Sequence, residues 1–471
     1  MKGFVTKSSF RAPVLRPWRA RRNRSMRILV VSLGTYGDVL PFIGLAAELS
    51  RRGHEVTLAS AERFAEAARR AGVPFVPIMP QAQYAQVFEH PSFWRPIAGA
   101  VRLFRAMPDF LAPVYDFIER ENRPGETFVV ASHLALGARI AEEALAIPTA
   151  SVHLTPIMLV SRRLGPRTPV IGALRWLPAS LQWKLQTGVY THFVAPILLP
   201  GLNAFRASKG LAPLAKLRKW WHPRRRMILL FPDWFAAEQP DWPRQVRQID
   251  FPRVDHLGAE SVALDPALDA FLDAGDPPIA VTFGSARLGS DRLYRAAVKA
   301  CARLGRRCLV LSQQQLTPPP GFEDRVFFSR YAPLSEVLPR CAALVHHGGV
   351  GTVALALGAG TPQLIVPFGF DQFDHAARVE RLGCGSWMRR VGFTAGRAAR
   401  RLRSLIEDPA IAERCRRVAD VAATGHDALS RACDELEAEF VRKSPAPAPA
   451  APRWLQPQGR DVAQPETHAP S

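Results

Sequence analysis

The sequence predicts an α/β protein with two parallel sheets, each covered by helices. Three observations lead there. Short apolar runs, which suit strands buried on both faces, alternate with amphipathic segments. That alternation occurs twice, on either side of a polar stretch holding Pro240, Pro243 and Pro252. A chain of 471 residues, 48% of them apolar, can fill two sizeable cores and exceeds one ordinary domain.

The first series opens with a strand at Arg27–Ser32, followed by the loop Gly34-Thr35-Tyr36-Gly37-Asp38. A helix is expected from Phe42 to Arg52, with Phe42, Leu45, Ala46 and Leu49 at helical spacing and Gly53 ending it. Val56–Ala59 and Phe75–Ile78 read as strands, with a helix over Phe64–Ala71 between them, stopped by Gly72. Phe128–Ala131 and Thr149–His153 are strand-like around a helix at Leu136–Leu145, and Met227–Phe231 closes the half. Residues 156–200, rich in proline and aromatics, resist assignment. The first domain is therefore placed at 26–238 and the linker at 239–256.

The second series begins with the strand Ile279–Phe283. A helix over Arg292–Leu304 and strands at Cys308–Leu311, Val326–Phe328, Ala343–Val345 and Gln363–Val366 follow. Leu402–Ile406 and Ala410–Ala422 read as late helices, which places the second domain at 257–435. Residues 444–471 are Pro- and Ala-rich and bury too little to fold. Residues 1–25 form a basic extension without an apolar core segment, so they do not read as a secretory signal; Met26 is an alternative start.

The formal net charge is +21. Such a chain can attract nucleic acid, an anionic membrane or an acidic substrate, but no nucleic-acid-reading module accompanies the charge. Basic residues cluster around Trp220-Trp221, and this stretch reads either as a membrane-interface segment or as a loop with its tryptophans packed beneath. No run of about 18 apolar residues is long enough to span a bilayer. The expectation is a soluble cytoplasmic protein, monomeric or weakly dimeric, with peripheral contact at the inner membrane face. Six cysteines without a CxxC pair read as free thiols.

The chemistry concentrates at strand ends. His346-His347-Gly348-Gly349-Val350-Gly351-Thr352 stands where a strand should give way to a helix. Glycines there permit close backbone approach, and the helix start offers N–H groups to an anion. Adjacent histidines leave a strand in different directions, so one can face the site while the other packs. Asp371 and Gln372, after the next strand, can hold sugar hydroxyls. Thr282, Gly284 and Ser285 repeat the small-polar strand end, and Tyr331 offers an aromatic face for a base. In the first domain Asp38 reads in two ways, as a helix N-terminal cap or as a group that accepts a proton from a hydroxyl. No third glycine completes a dinucleotide fingerprint there, and the acid would repel a pyrophosphate. No metal-ligand spacing is present.

These motifs carry a resemblance. His346–Thr352 with Ala354–Pro362, Pro367 and Asp371-Gln372 is similar throughout to the donor-site motif of the glycosyltransferases that use UDP- or dTDP-sugars. Gly34–Pro41 resembles the N-terminal motif of the same family. Asp38–Ala46, Leu136–Ala141, Phe231–Ala236 and Arg330–Leu334 look most like the bacterial rhamnosyltransferases of rhamnolipid synthesis. The resemblance, over residues 27–430, implies a GT-B architecture: two Rossmann-like domains facing across a cleft. It implies an inverting transfer from a nucleotide-diphosphate sugar, used as co-substrate with no tightly bound cofactor or metal, to a hydrophobic small-molecule or lipid acceptor. Sterol, macrolide and other natural-product acceptors stay open, as does a binding protein without catalysis. The resemblance makes Asp38 the base and His346 the contact to the diphosphate. It gives phosphate to Gly348, Gly349, Gly351 and Thr352, the sugar to Asp371 and Gln372, and the base face to Tyr331, with Thr282, Gly284 and Ser285 lining the donor side.

Overall fold

A computed structural model describes residues 25–168, 177–258, 264–284, 290–312, 316–425 and 427–440. The extension 1–24, the tail 444–471 and Ser285 lie outside them. Among the described residues, thirteen strands form two sheets. The first contains β1 (Arg27–Val31), β2 (Glu55–Ala61), β3 (Phe75–Met79), β4 (Thr127–Ser132), β5 (Thr149–His153), β6 (Met227–Leu229) and β7 (Val246–Gln248). The second contains β8 (Ile279–Thr282), β9 (Cys308–Leu311), β10 (Val326–Ser329), β11 (Ala343–His346), β12 (Gln363–Ile365) and β13 (Gly385–Trp387). The orders are β3-β2-β1-β4-β5-β6-β7 and β10-β9-β8-β11-β12-β13.

Every pairing is parallel; Val31 faces Ala59 on one side and Ala131 on the other. The central strands Ile28–Val31 and Ala343–Val345 are fully buried, as a sheet with helices on both faces requires. In each sheet the order reverses once, between β1 and β4 and between β8 and β11. Chain segments leaving such a pair diverge and open a crevice at the carboxyl ends of the strands. The loops of Asp38, Gly284 and His346–Gly349 leave at those two crevices.

Several boundaries differ from the sequence reading. The first helix runs Tyr36–Arg51, starting six residues before Phe42 and carrying Pro41 inside it. Thr35, not the apolar run, starts it, because the residue-35 cap and Asp38 bind one another. Helices at Gln81–Phe88, Pro96–Ala106 and Leu111–Glu121 fill a stretch to which the sequence assigned nothing. The linker 239–256 contains β7, which pairs with β6 and closes the first sheet.

The last described helix returns to the first domain. In the helix Ala428–Phe440, Ala432, Cys433 and Leu436 are fully buried in the first core. Phe440 lies 4.0 Å from Phe128, centroid to centroid, and Arg52 reaches Asp434 at 2.7 Å and Glu437 at 3.1 Å. The first half of this helix falls within the expected second domain, 257–435, yet it packs on the first core. Trp220 and Trp221 are also buried, with their indole N–H groups on Glu143 and the His133 carbonyl. They are core residues and do not form a membrane-facing pair.

Truncating Leu436 to Ala should remove about 2–4 kcal/mol of stability from the first domain. Equilibrium urea unfolding followed by tryptophan fluorescence will measure it. An unchanged midpoint would mean the terminal helix is not part of that core.

Candidate active site

On the first-domain side, β1 leads into Gly34, whose φ is +135°. A Cβ there would stand 2.5 Å from Asp38 Oδ2, so only glycine leaves room for the carboxylate. The Thr35 N–H donates to Oδ2 at 2.8 Å and its hydroxyl donates at 3.0 Å. Asp38 thus caps the helix through one oxygen and keeps Oδ1 for the cleft. Burial raises its pKa to about 6; the Thr35 N–H opposes this, and the Asp371 carboxylate adds to it. The last contribution means that the two carboxylates lie within electrostatic reach of each other. The two readings of Asp38, cap and cleft carboxylate, are compatible in geometry.

The two histidines divide their tasks in the opposite sense to the expectation. His346 ends β11 and is fully buried. Its Nδ1 accepts the Gly348 N–H at 3.2 Å, so Nε2 carries the proton and donates to Gln363 Oε1 at 3.0 Å. With both nitrogens taken, His346 shapes the loop and has none left for a ligand. His347 occupies the crevice. Its ring lies between Gly284 and Gly349: a Cβ on Gly284 would stand 2.7 Å from Cε1, and one on Gly349 would stand 2.8 Å from Nε2. Nδ1 of His347 is buried without a partner. Burial, and then His375, lower its pKa to about 4, so the ring is neutral at pH 7.

Gly284 has a φ of +65° and gives its N–H to Thr282 Oγ1 at 3.3 Å. Gly348 has a φ of +95° and packs against Ile365 and the Gln372 backbone. The helix Val350–Gly358 starts immediately beyond. Val353 N–H bonds to the Gly349 carbonyl at 2.9 Å. The amides of Val350, Gly351 and Thr352 come before that first helical bond and are free to meet an anion. Gly351 is exposed and has no neighbour to obstruct it.

Asp371 precedes the helix Gln372–Leu382. Burial raises its pKa, partly offset by His375 and, least, by the nearby Thr155 hydroxyl of the other domain. His375 Nδ1–H donates to the Gly348 carbonyl at 2.8 Å, which ties this helix to the His346–Gly349 loop. Gln372 departs from the expectation: Oε1 accepts from Phe368 N–H at 2.8 Å and Gly369 N–H at 3.2 Å, so only its Nε2 end can serve a ligand. Tyr331 gives its hydroxyl to the Asp255 carbonyl between the domains, and its ring is 44% exposed.

The sequence reading missed the first-domain groups that cross the cleft. Trp94 approaches His347 at 6.2 Å and Phe370 at 6.2 Å, and Phe93 lies 4.8 Å from Phe370. Asp374 accepts the Arg167 N–H at 2.7 Å and Arg378 Nε at 2.6 Å, while Arg378 also reaches the Phe235 carbonyl. No local signal marks these residues, because their partners are over 100 positions away. Among the described residues no group of His, Cys, Asp and Glu could hold a metal ion.

Asp38, Asp371 and the open helix start at Val350 are the polar groups at the two crevices, and comparison with known proteins names the class. Residues 28–159 match the glycosyltransferase family 28 N-terminal domain, and residues 309–431 match the erythromycin biosynthesis protein CIII-like C-terminal domain. The chain is 31% identical to O-mycaminosyltylonolide 6-deoxyallosyltransferase of Streptomyces fradiae, over 88% of this chain and 97% of that protein. It is 30% identical to glycosyltransferase GtfE of Amycolatopsis orientalis, over 76% and 85% respectively. The calicheamicin glycosyltransferase CalG4 superposes with a TM-score of 0.68 at 21% identity, covering 90% of this chain and 100% of that one. The spinosyn rhamnosyltransferase SpnG, solved with thymidine diphosphate, gives a TM-score of 0.61 at 18% identity, covering 87% and 100%. The chain belongs to the glycosyltransferase family and has the GT-B fold.

Replacing Gly284 with Ala forces a side chain into the left-handed region and into the His347 ring. A loss of about 1–3 kcal/mol in thermal stability is expected, together with a shifted His347 imidazole resonance in NMR. An unmoved resonance would contradict the sandwiching of His347 between Gly284 and Gly349.

Proposed function

We propose that this glycosyltransferase moves a hexosyl or deoxyhexosyl group from a dTDP- or UDP-sugar to a hydroxyl of a hydrophobic small-molecule or lipid-like acceptor, with inversion at the anomeric carbon. One observation carries the reading. The Asp38 carboxyl, held by Thr35 and raised to about 6 by burial, lies within electrostatic reach of Asp371, and Val350 at the helix start of the second domain packs on the first core. A carboxyl with that pKa is largely ionised at neutral pH and is a stronger base than an ordinary aspartate.

Asp38 removes the proton from the acceptor hydroxyl as its oxygen attacks the anomeric carbon from the face opposite the diphosphate. The bond from that carbon to the diphosphate oxygen breaks, and negative charge builds on the leaving group. The Val350, Gly351 and Thr352 amides, the Thr352 hydroxyl and the His347 imidazole receive that charge. His346 acts only through Gly348, which it holds in place. Asp371 and the Nε2 end of Gln372 hold sugar hydroxyls, and the exposed ring of Tyr331 offers a face to the base. Thr282, Gly284 and Gly349 shape the donor wall, and closure of Trp94 over His347 keeps water from the donor.

Thymidine diphosphate in the solved SpnG and VinC supports a dTDP-sugar as the first donor to test. Partly buried Tyr36, Leu134 and Met158, near the ends of β1, β4 and β5, support a hydrophobic acceptor. The Streptomyces fradiae relative, named for O-mycaminosyltylonolide, favours a macrolide-like natural product as the second acceptor class, beside a hydroxy-acyl lipid.

Asp38→Asn keeps an oxygen for Thr35 and should still fold, bind thymidine diphosphate normally in calorimetry, and lose at least about a hundredfold in transfer. Normal turnover by mass spectrometry would remove Asp38 as the base. In the unmodified enzyme, kcat/KM should fall as pH drops through about 6, because the base must be deprotonated. A flat profile from pH 5 to 8 would reject that assignment. His347→Ala should weaken thymidine diphosphate binding about tenfold, while equal affinity would return the diphosphate to the backbone amides alone.

A further inference from the structure

The charge of +21 is not spread evenly, and the second domain carries much of it on two adjoining helices. The helix Asp291–Arg303 exposes Arg292, Arg295, Lys299 and Arg303, spaced three, four and four residues apart, so they share one face. Beside it the helix Ala395–Glu407 buries Ala398, Ala399, Leu402 and Leu405 and exposes Arg397, Arg400, Arg401 and Arg403. The two touch closely: a Cβ on Gly396 would stand 2.9 Å from Arg303 Nη1. Against these eight cations the two helices contain two carboxylates, Asp291 and Glu407.

Two open concavities border this face. One of about 880 Å³ is lined by Trp387, Arg389, Val391, Arg397, Arg400 and Arg401. The other, about 600 Å³, is lined by Arg292, Arg295, Lys299 and Thr394, and also by Asp291, whose carboxylate lies 4.0 Å from Arg295. Val391, on the wall of the larger one, is 87% exposed, the most exposed large aliphatic residue among those described. Arg390, next to it, stacks on Phe368 at 5.2 Å, so the basic face adjoins the donor loops.

The first domain contributes an apolar counterpart. Leu181, Leu185, Val189 and Phe193, four apart on a continuous helical segment, are each 37–40% exposed. That segment, residues 179–194, holds no acid. A chain of contacts joins it to the basic face. Trp183 lies under Arg162 at 4.6 Å, the Arg167 amide bonds to Asp374, and Phe373 meets Trp387 at 6.3 Å on the wall of the larger concavity.

We propose that these surfaces dock the protein on an anionic phospholipid membrane, with headgroup phosphates in the arginine-lined concavities and the apolar side chains of 181–193 and Val391 at the acyl boundary. Charge complementarity selects the partner. Lipid phosphates satisfy the cations, and the interface takes up aliphatic side chains for which a nucleic-acid backbone has no place. The docked face lies beside the cleft, so a hydrophobic acceptor dissolved in the bilayer can enter directly. The inference stands apart from the transfer reading, since membrane binding needs no sugar transfer.

The test is co-sedimentation of the full chain with vesicles of phosphatidylcholine alone or mixed with phosphatidylglycerol. Binding should require phosphatidylglycerol and weaken as salt rises. The triple variant Arg397→Glu/Arg400→Glu/Arg401→Glu should bind about a hundredfold more weakly. Arg292→Glu/Arg295→Glu/Lys299→Glu, on the other helix, provides a second measure if the first variant melts early. Leu185→Gln/Val189→Gln should bind more weakly at high salt, where the apolar contribution dominates. Equal binding to both vesicle types, no binding to either, or binding unmoved by both charge reversals overturns the proposal. Retention on a mixed-sequence RNA without vesicle binding reassigns the face to nucleic acid.

Discussion

The parallel arrangement of both sheets is the constraint on which everything else depends. Parallel strands all end at the same edge, so every loop that leaves a carboxyl end joins one rim. Where strand order reverses, the loops separate and leave a crevice. The first domain puts the β1 loop and the β4 end there; the second puts the β8 and β11 loops there. Residues as distant as Asp38 and Asp371 become electrostatic neighbours because two such rims face one another. Burial first, and repulsion by Asp371 as a smaller addition, keep the Asp38 carboxylate more basic than it would be in solvent.

Steric room is the second determinant. Gly34, Gly284, Gly348 and Gly349 do not merely loosen loops. Each occupies a point where a Cβ would collide with a side chain of the cleft or its wall. Gly34 makes room for Asp38, and Gly284 with Gly349 for the His347 ring. The same loop carries a structural histidine, since His346 spends both nitrogens on holding Gly348 and Gln363. Neighbouring residues of one type thus take opposite roles, decided by which side of the strand end each leaves.

A shared apolar cluster, with Phe231 and Phe235 from the first domain and Leu357 and Ile365 from the second, joins the domains, and buried polar contacts add to it. Asp374 takes an amide from the first domain with one oxygen and Arg378 with the other, and Arg378 reaches a first-domain carbonyl. Such a fully hydrogen-bonded group is costly to break halfway, because removing one partner strands a buried charge. The terminal helix reinforces the tie by crossing back to bury Leu436 in the first core.

Much of this was legible in the sequence. Apolar runs and glycine stops marked eleven of the strands, since a strand buried on both faces must be apolar throughout. The two glycine-bearing loops marked the cleft, because a turn needs fewer small and polar groups than they contain. β7 and β13 were not legible: each is three residues long and is defined by its neighbour rather than by its own composition. The helices of residues 81–121 were hidden by their prolines and aromatics, which only packing against the first core resolves. The sequence by itself determined the fold class, the two halves of the cleft and the residue types that line it. Tertiary structure alone decided that His347 rather than His346 faces the crevice, that Gln372 spends its oxygen on the Phe368 loop, and that Trp220 and Trp221 lie in the core. Each of these turns on the direction of one side chain and the partner it meets, and those partners are set by chain crossings that no local spacing records.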